Sequence, residues 1–352
     1  MKYYDVVIVG AGQAGIAMGY YLMKTDLSFI LLDHDSNIGN SWRKRYDSLV
    51  LFTPRKYSAL PNKKMKGNQH TFPTKDEIAD YLKSYVSQFN IPIQMHTKVH
   101  FVHRENGYYV LNTSKGWLKS KQVVCATGAF DQPYIPPVIE KKNKEMNHYH
   151  SSEYKRPNQL PDGPVTVVGG GNSGAQIATE LSKTKEVTLS VSENLTFLPL
   201  HFLNKDIFTW LDRTGFLFAG TDTKRGKWFQ KREDPIFGKT LKKLLKQKKI
   251  KLKPRVIHTT GNLITFQDGT IQQSSSIIWA TGFKANDSWI QIDNAISEEG
   301  KPIHDRGVSP IKGLYFIGLS WQYHRGSALI CGVGRDASYI ASWIQKESEL
   351  NN

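Results

Sequence analysis

Cysteine is nearly absent from this chain. Its 352 residues include only Cys125 and Cys331, far apart and without a C-x-x-C. That scarcity excludes a disulfide scaffold, a cysteine zinc site and a redox-active dithiol pair. The 11 histidines show no H-E-x-x-H or carboxylate spacing, so no metal is expected. No G-x-S-x-G elbow or Cys–His pairing can be defended, so no catalytic nucleophile is assigned. Both cysteines read as small core residues. Acidic residues are in deficit, 31 against 47 Lys and Arg, for a net charge of +16. That balance suits anionic partners, or only keeps the surface soluble. Long apolar runs are missing too. Val6 to Met23 is apolar or small except for Gln13, but Asp5 stands where a leader would be positive and glycines interrupt the run. Nothing else approaches a span of ~20 apolar residues. A soluble cytoplasmic protein is expected. Apolar residues at 39% suffice for a buried core.

What is present occurs twice. Residues 4–10, YDVVIVG, read as a buried parallel strand entering Gly10-Ala11-Gly12-Gln13-Ala14-Gly15, a helix pattern, and a second strand ending at Asp33. Gly10 permits the strand-to-helix turn, Gly12 lets a pyrophosphate approach the backbone, and Gly15 lets helix and strand pack closely. The helix N-terminus offers free N–H groups to phosphate. Asp33, 18 residues after Gly15, stands where a carboxylate accepts bonds from ribose hydroxyls. Residues 165–171, VTVVGGG, repeat the pattern with Gly169, Gly171, Asn172, Ser173 and Gly174, and the position equivalent to Asp33 is Ser192. Gly174 lies 159 residues after Gly15. A second landmark repeats at nearly the same offset: VVCATG ending at Gly128 and IIWATG ending at Gly282, 154 residues apart. Two ordered landmarks at one offset predict an α/β chain with two Rossmann-like dinucleotide-binding domains.

These residues resemble the two-dinucleotide-binding-domain flavoproteins, and most closely the class B flavin-containing monooxygenases and their short bacterial relatives. The resemblance covers nearly the whole chain. It rests on GAGQAG (10–15), IGNSWRKRYDSLVLFTPRKYSALP (38–61), ATGAFDQPYIP (126–136), HSSEY (150–154), GGGNSGAQIA (169–178), ATGF (280–283) and GLYFIGLSWQYHRGSALICGVGRDA (313–337). It implies an NAD(P) domain, about 162–284, inserted in a discontinuous FAD domain, 1–157 with 285–352. The Pro-rich stretch 155–164 reads as the linker. FAD would meet Gly10, Gly12, Gln13, Ala14, Gly15 and Asp33, with Ser41 and Trp42 from the Gly39-Asn40-Ser41-Trp42 segment. Val99, Thr127, Gly128 and Gly318 would add backbone contacts. The last helix, about Gly334 to Trp343, would aim its N-terminus at the flavin. NADPH or NADH would meet Gly169, Gly171, Asn172, Ser173, Gly174, Ser192 and, more weakly, Gln176. NADP sites usually place an arginine after the second strand. Here Ser192-Glu193-Asn194 stands there, so NADH should be accepted well. The family's F-x-G-x-x-x-H-x-x-x-Y falls on Lys144, Met146, His150 and Tyr154, keeping only the His and Tyr. His150 is a hinge or site residue, or a linker histidine held by a carbonyl.

The resemblance implies hydride transfer from nicotinamide to flavin, capture of molecular oxygen as a flavin hydroperoxide, and oxygenation of a small-molecule sulfide, amine or ketone. A second reading passes electrons to a quinone or a small redox protein. A third is a nucleotide-sensing or nucleic-acid-binding protein, but no nucleic-acid motif accompanies the lysines, and no nucleic acid is expected. A homodimer is left open. Residues 196–238 carry nine aromatics and read as an insertion that packs on the other domain or a second subunit, lines a substrate tunnel, or touches a membrane surface. Within it, 201–216 fits one amphipathic helix. The eight lysines of 239–254 read as a solvated basic helix.

Overall fold

The computed structural model describes residues 1–139 and 145–350. Strand β1 (Lys2–Val9) turns at Gly10 into helix α1 (Gln13–Leu22), and β2 (Phe29–Leu32) returns beside β1. Helix α2 (Lys75–Phe89) opens on a reciprocal cap between Thr74 and Glu77. Short β3 (Ile93–Gln94) and the meander β4 (Val99–Glu105), β5 (Tyr108–Thr113), β6 (Gly116–Cys125) follow. The next stretch carries β7 (Asn147–His150), β8 (Val165–Val168), α3 (Asn172–Leu181) and β9 (Val187–Ser190). Three short helices, α4 (Ile207–Arg213), α5 (Lys224–Gln230) and α6 (Thr240–Lys246), precede β10 (Ile250–Lys253). An antiparallel meander of β11 (Val256–Thr260), β12 (Leu263–Phe266) and β13 (Ile271–Gln273) leads to β14 (Ser276–Trp279). The chain ends in β15 (Leu314–Phe316) and α7 (Ile330–Glu349).

Two sheets organise these elements. The first has the order β3-β2-β1-β6-β5-β4, with β15 pairing parallel to the end of β6. The second is parallel throughout, in the order β10-β9-β8-β14-β7. The first sheet therefore takes strands from both ends of the chain, and the second only from residues 147–279. Parallel strands covered on both faces should be apolar along their length. Val6 to Val9 and Val165 to Val168 are buried accordingly.

The segment 42–51 ties the sheets together. Trp42 and Leu51 pack against the core of α1 and β1 and also against the core of β8 and α3, while Tyr46 and Leu49 belong to the latter core. The Tyr46 hydroxyl donates to Gln176 Oε1 at 3.0 Å, and Gln176 Nε2 donates to the Val50 carbonyl at 3.0 Å.

Three local expectations change. Residues 201–216 are not one helix. His201–Phe202 and Lys205–Asp206 form a hairpin through left-handed Leu203 and Asn204 (φ 47° and 58°). Helix α4 starts only after Asp206, whose carboxylate caps Thr209 N at 2.7 Å. The basic run at 239–254 splits at left-handed Lys248 into α6 and the edge strand β10. Lysines on an edge strand discourage pairing with another chain, which gives Lys251 and Lys253 a physical reason. The final helix extends beyond Gly334–Trp343 at both ends, because buried Ile330 and Val333 before it and Ile344 after it continue its apolar face.

Candidate functional site

The two glycine turns are built alike. Gly10 (φ +107°) and Gly169 (φ +123°) are left-handed, and a Cβ on either would lie well under 3.0 Å from the carbonyl oxygen of Ala126 or Ala280. Those alanines begin the two Ala-Thr-Gly segments, so each segment packs on the first glycine of its own turn. A Cβ on Gly15 would strike the Gly10 carbonyl, and one on Gly174 the Gly169 carbonyl, also under 3.0 Å. The middle glycines differ in kind. Gly12 and Gly171 have extended backbones that any residue adopts, and nothing lies within 4 Å of a Cβ placed there. No side chain caps α1 or α3. Each turn thus offers an open glycine face beside uncapped N–H groups, the surface a pyrophosphate requires.

The other predicted contacts fall around these turns. Asp33 Oδ2 accepts from Ala11 N at 2.7 Å and Oδ1 from Asp35 N at 2.8 Å, which holds the carboxylate at the rim of the first turn. Thr97 N donates to the Asp33 carbonyl at 2.7 Å, and this brings Val99 to the same end of the sheet. Thr127 and Gly128 are exposed just past β6. Left-handed Gly318 follows β15, where a Cβ would come within 2.9 Å of Ala14 Cβ in the first turn of α1; Gln13 beside it is half-buried. Ser41 is exposed and Trp42 half-buried in a helical turn after left-handed Gly39, which abuts Ala79 of α2.

In the second unit, side chains meet protein partners. Asn172 Nδ2 donates to the Pro235 carbonyl at 3.1 Å, and its Oδ1 accepts from Phe237 N at 2.9 Å. Gln176 joins Tyr46 and Val50, as described above. Ser173 faces the Tyr46 hydroxyl, whose pKa burial pushes up to about 12. These residues brace the turn against the insertion and against segment 42–51. Ser192 is exposed beyond β9.

His150 is buried. Its Nδ1 accepts from Ser152 N at 3.2 Å, so the proton sits on Nε2, which donates to the Gly282 carbonyl at 2.9 Å. Burial lowers its pKa and keeps it neutral. It is a histidine held by a carbonyl of the second Ala-Thr-Gly segment. Met146 and Tyr154 of the same motif are buried, and Lys144 lies outside the described residues. Of the aromatics of 196–238, Phe208, Phe218, Phe229 and Phe237 meet the other unit, while Phe197 packs on its own unit's core and Phe202, Trp210, Phe216 and Trp228 pair within the segment. Phe208 and Leu217 share a core with Tyr57, Leu329 and Cys331. Beside that core is a cavity of about 20 Å³, lined by Phe208, Leu217, Phe229, Trp321 and Leu329 among others.

Sequence inspection missed a buried pair at the start of α7. His324 Nε2 lies 4.0 Å from Asp336 Oδ1, both residues essentially unexposed; Nε2 and the two Asp336 oxygens lack hydrogen-bond partners, while His324 Nδ1 is 3.4 Å from Ser327 Oγ. Their signal, R-D-A-S inside a helix, is indistinguishable from a surface pattern until α7 is docked. Burial pushes Asp336 up to about 6. Burial, with Arg335 and Arg306 nearby, pushes His324 down to about 4. A carboxyl whose folded pKa is raised stabilises the fold below its ordinary value near 3.8 and loses that contribution as pH rises through about 6. The Asp336 charge therefore costs stability at pH 8. Asp336→Asn should raise Tm at pH 8, by the equivalent of about 3 kcal/mol, and by that of only about 1 kcal/mol at pH 4.5. Thermal melts at the two pH values check this, and an equal shift at both would contradict it. His324 acts oppositely, losing its contribution as pH falls through about 4.

The paired glycine turns on paired sheets define the two-dinucleotide-binding fold. Residues 7–198 match the pyridine nucleotide-disulphide oxidoreductase family, and the chain belongs to that family. An uncharacterized CzcO-like oxidoreductase of Geobacillus kaustophilus is 49% identical over 340 residues, covering 97% of this chain and 98% of that protein. The probable indole-3-pyruvate monooxygenase YUCCA1 of Arabidopsis thaliana is 27% identical over 96% of this chain and 89% of its own length. Among solved structures, a flavin-containing monooxygenase from Stenotrophomonas maltophilia superposes with a TM-score of 0.84 at 24% identity, over 98% of this chain and 99% of that one. The fold is that of the flavin monooxygenases. Among the described residues, no helix is long and apolar enough to cross a membrane, and no cluster of His, Cys, Asp or Glu is arranged to hold a metal.

Proposed function

We propose that this oxidoreductase is an FAD-dependent, NAD(P)H-driven monooxygenase acting on a small sulfide, amine or ketone. In this reading the unit of the first sheet, with strands from both ends of the chain, binds FAD, and the unit of the second sheet, which includes β7, binds the nicotinamide nucleotide. The observation that carries it is the pair of open glycine faces at Gly12 and Gly171, each beside an uncapped helix start. A Cβ would fill either face, which is the fit expected of a pyrophosphate cradle. The first turn suits FAD: Asp33 takes the ribose hydroxyls, and the Thr127–Gly128 and Gly318 backbones border the flavin side.

FAD, when bound, supplies the hydride acceptance and the oxygen activation. The chain's part is to hold and exclude. The glycine turns bind the pyrophosphates. Trp42 and Tyr46 fix the junction between the two units, so that the nucleotides meet in one geometry. Phe208, Phe229 and Trp321 wall the junction with apolar surface and keep out water. Nothing in this scheme asks for a protein nucleophile. Cys125 is buried and its thiol is pushed well up.

The test is the absorbance spectrum of the purified protein before and after NADH or NADPH, followed by ¹⁸O₂ labelling with a panel of sulfides, amines and ketones. A yellow protein bleached by NAD(P)H that places one labelled oxygen in product is the expected result. Bleaching without label, together with rapid reduction of a quinone, would replace the monooxygenase with a reductase.

A further inference from the structure

The segment after β9 has no arginine, yet the sheet places one there from another strand. β9 and β10 run parallel with Ser190 opposite Lys253. The pairing carries past both strands: Val191 N donates to the Lys253 carbonyl at 3.0 Å, and Ser190 Oγ donates to the Pro254 carbonyl at 2.7 Å. Continued in the same register, Ser192 stands opposite Arg255. Val191 leans on the second glycine turn, where its Cγ1 would lie 3.2 Å from a Cβ at Gly170. Ser192, Glu193 and Arg255 thus share the rim of that turn, and all three are exposed. Lys253, two residues before Arg255, is committed elsewhere: its Nζ donates to Thr270 Oγ1 at 2.8 Å and lies 3.4 Å from Asp268. Arg255 has no ion-pair partner among the described residues.

In this fold the adenosine ribose lies at the end of the second strand, and a 2′-phosphate is told from a 2′-hydroxyl by a nearby guanidinium. A guanidinium suits phosphate because it donates two parallel N–H bonds from a fixed plane. We infer that Arg255 binds the 2′-phosphate of NADPH, substituting across the sheet for the arginine absent after β9, with Glu193 opposing it. The inference rests on the nicotinamide-nucleotide reading of the Gly169–Gly174 turn. It makes cofactor choice a balance between one attractive and one repulsive residue on adjacent strands.

The experiment is calorimetric binding of 2′,5′-ADP and 5′-AMP to the purified flavin-loaded enzyme, two ligands that differ only in the 2′-phosphate. The parent should bind 2′,5′-ADP about tenfold tighter. Arg255→Ala should bring the ratio to about one, Arg255→Lys should keep part of it, and Glu193→Gln should raise it severalfold. A ratio of one in the parent, or a ratio unchanged in Arg255→Ala, overturns the inference and leaves the nucleotide site standing. Failure of both ligands to bind, in a protein that is yellow, overturns the inference together with the nicotinamide role of the second turn.

Discussion

Gly12→Val should give a colourless protein that folds as well as the parent apoprotein. The backbone at Gly12 is extended (φ −74°, ψ −173°), and no atom lies within 4 Å of the position a Cβ would take. The substitution therefore meets no steric resistance from the chain, only the loss of up to about 1 kcal/mol from a poorer N-cap. What the side chain does fill is the face on which the FAD pyrophosphate would lie. Gly171→Val should separate the two cofactors. It should stay yellow yet lose at least about 100-fold in kcat/KM for reduction by NADPH, near 2.7 kcal/mol of transition-state stabilisation. Flavin content by absorbance, urea melts and stopped-flow reduction measure all of this. A yellow Gly12→Val protein reduced at the parental rate would disprove the assignment of the first turn.

Gly15→Ala and Gly174→Ala should do the reverse and damage the fold itself. Each added methyl would meet a backbone carbonyl, of Gly10 or Gly169, well under 3.0 Å away. A carbonyl at the foot of a buried parallel strand cannot swing aside as a flexible side chain does. The helix must move off the sheet, which opens the interface where Ile16 and Ile177 are fully buried. A cost of about 3 kcal/mol or more follows from overpacking of this kind, a large fraction of the stability of an ordinary domain. Urea denaturation gives the number, and a loss under about 1 kcal/mol would contradict the geometry. One methyl three residues along the same turn thus separates a binding defect from a folding defect.

The glycine turns were legible because their demands are local. Strand, turn and helix occupy one short stretch, Lys2–Leu22 or Val165–Leu181, and the spacing alone distinguishes Gly10, Gly12 and Gly15. The Ala-Thr-Gly landmarks were visible as repeats, but their purpose was not. Only the folded chain brings the Ala126 and Ala280 carbonyls against Gly10 and Gly169. Gln176 and Asn172 show the opposite failure. In sequence they are polar residues at the start of a nucleotide-binding helix. Their partners, Tyr46 and Phe237, lie 130 and 65 residues away, so no local pattern reveals that these side chains brace the turn. Arg255 carries no local signal for the same reason, since it follows the neighbouring strand of the sheet and not the strand after the motif. The apolar spacing of the hairpin at 201–206 fits a helix as well as a strand. Left-handed Leu203 and Asn204 decide the matter, and leucine gives no warning of it.

The segment 42–51 also bears on modularity. Two nucleotide-binding units joined by linkers look like separable parts that could be exchanged between enzymes. Tyr46 and Leu49, however, are carried by the first unit and buried in the interior of the second. Separating the two units would strip the second of two core side chains and leave the first displaying them to water. The interface is therefore a shared interior, and a graft of either half onto another scaffold would have to bring residues 42–51 along with whichever half receives α3.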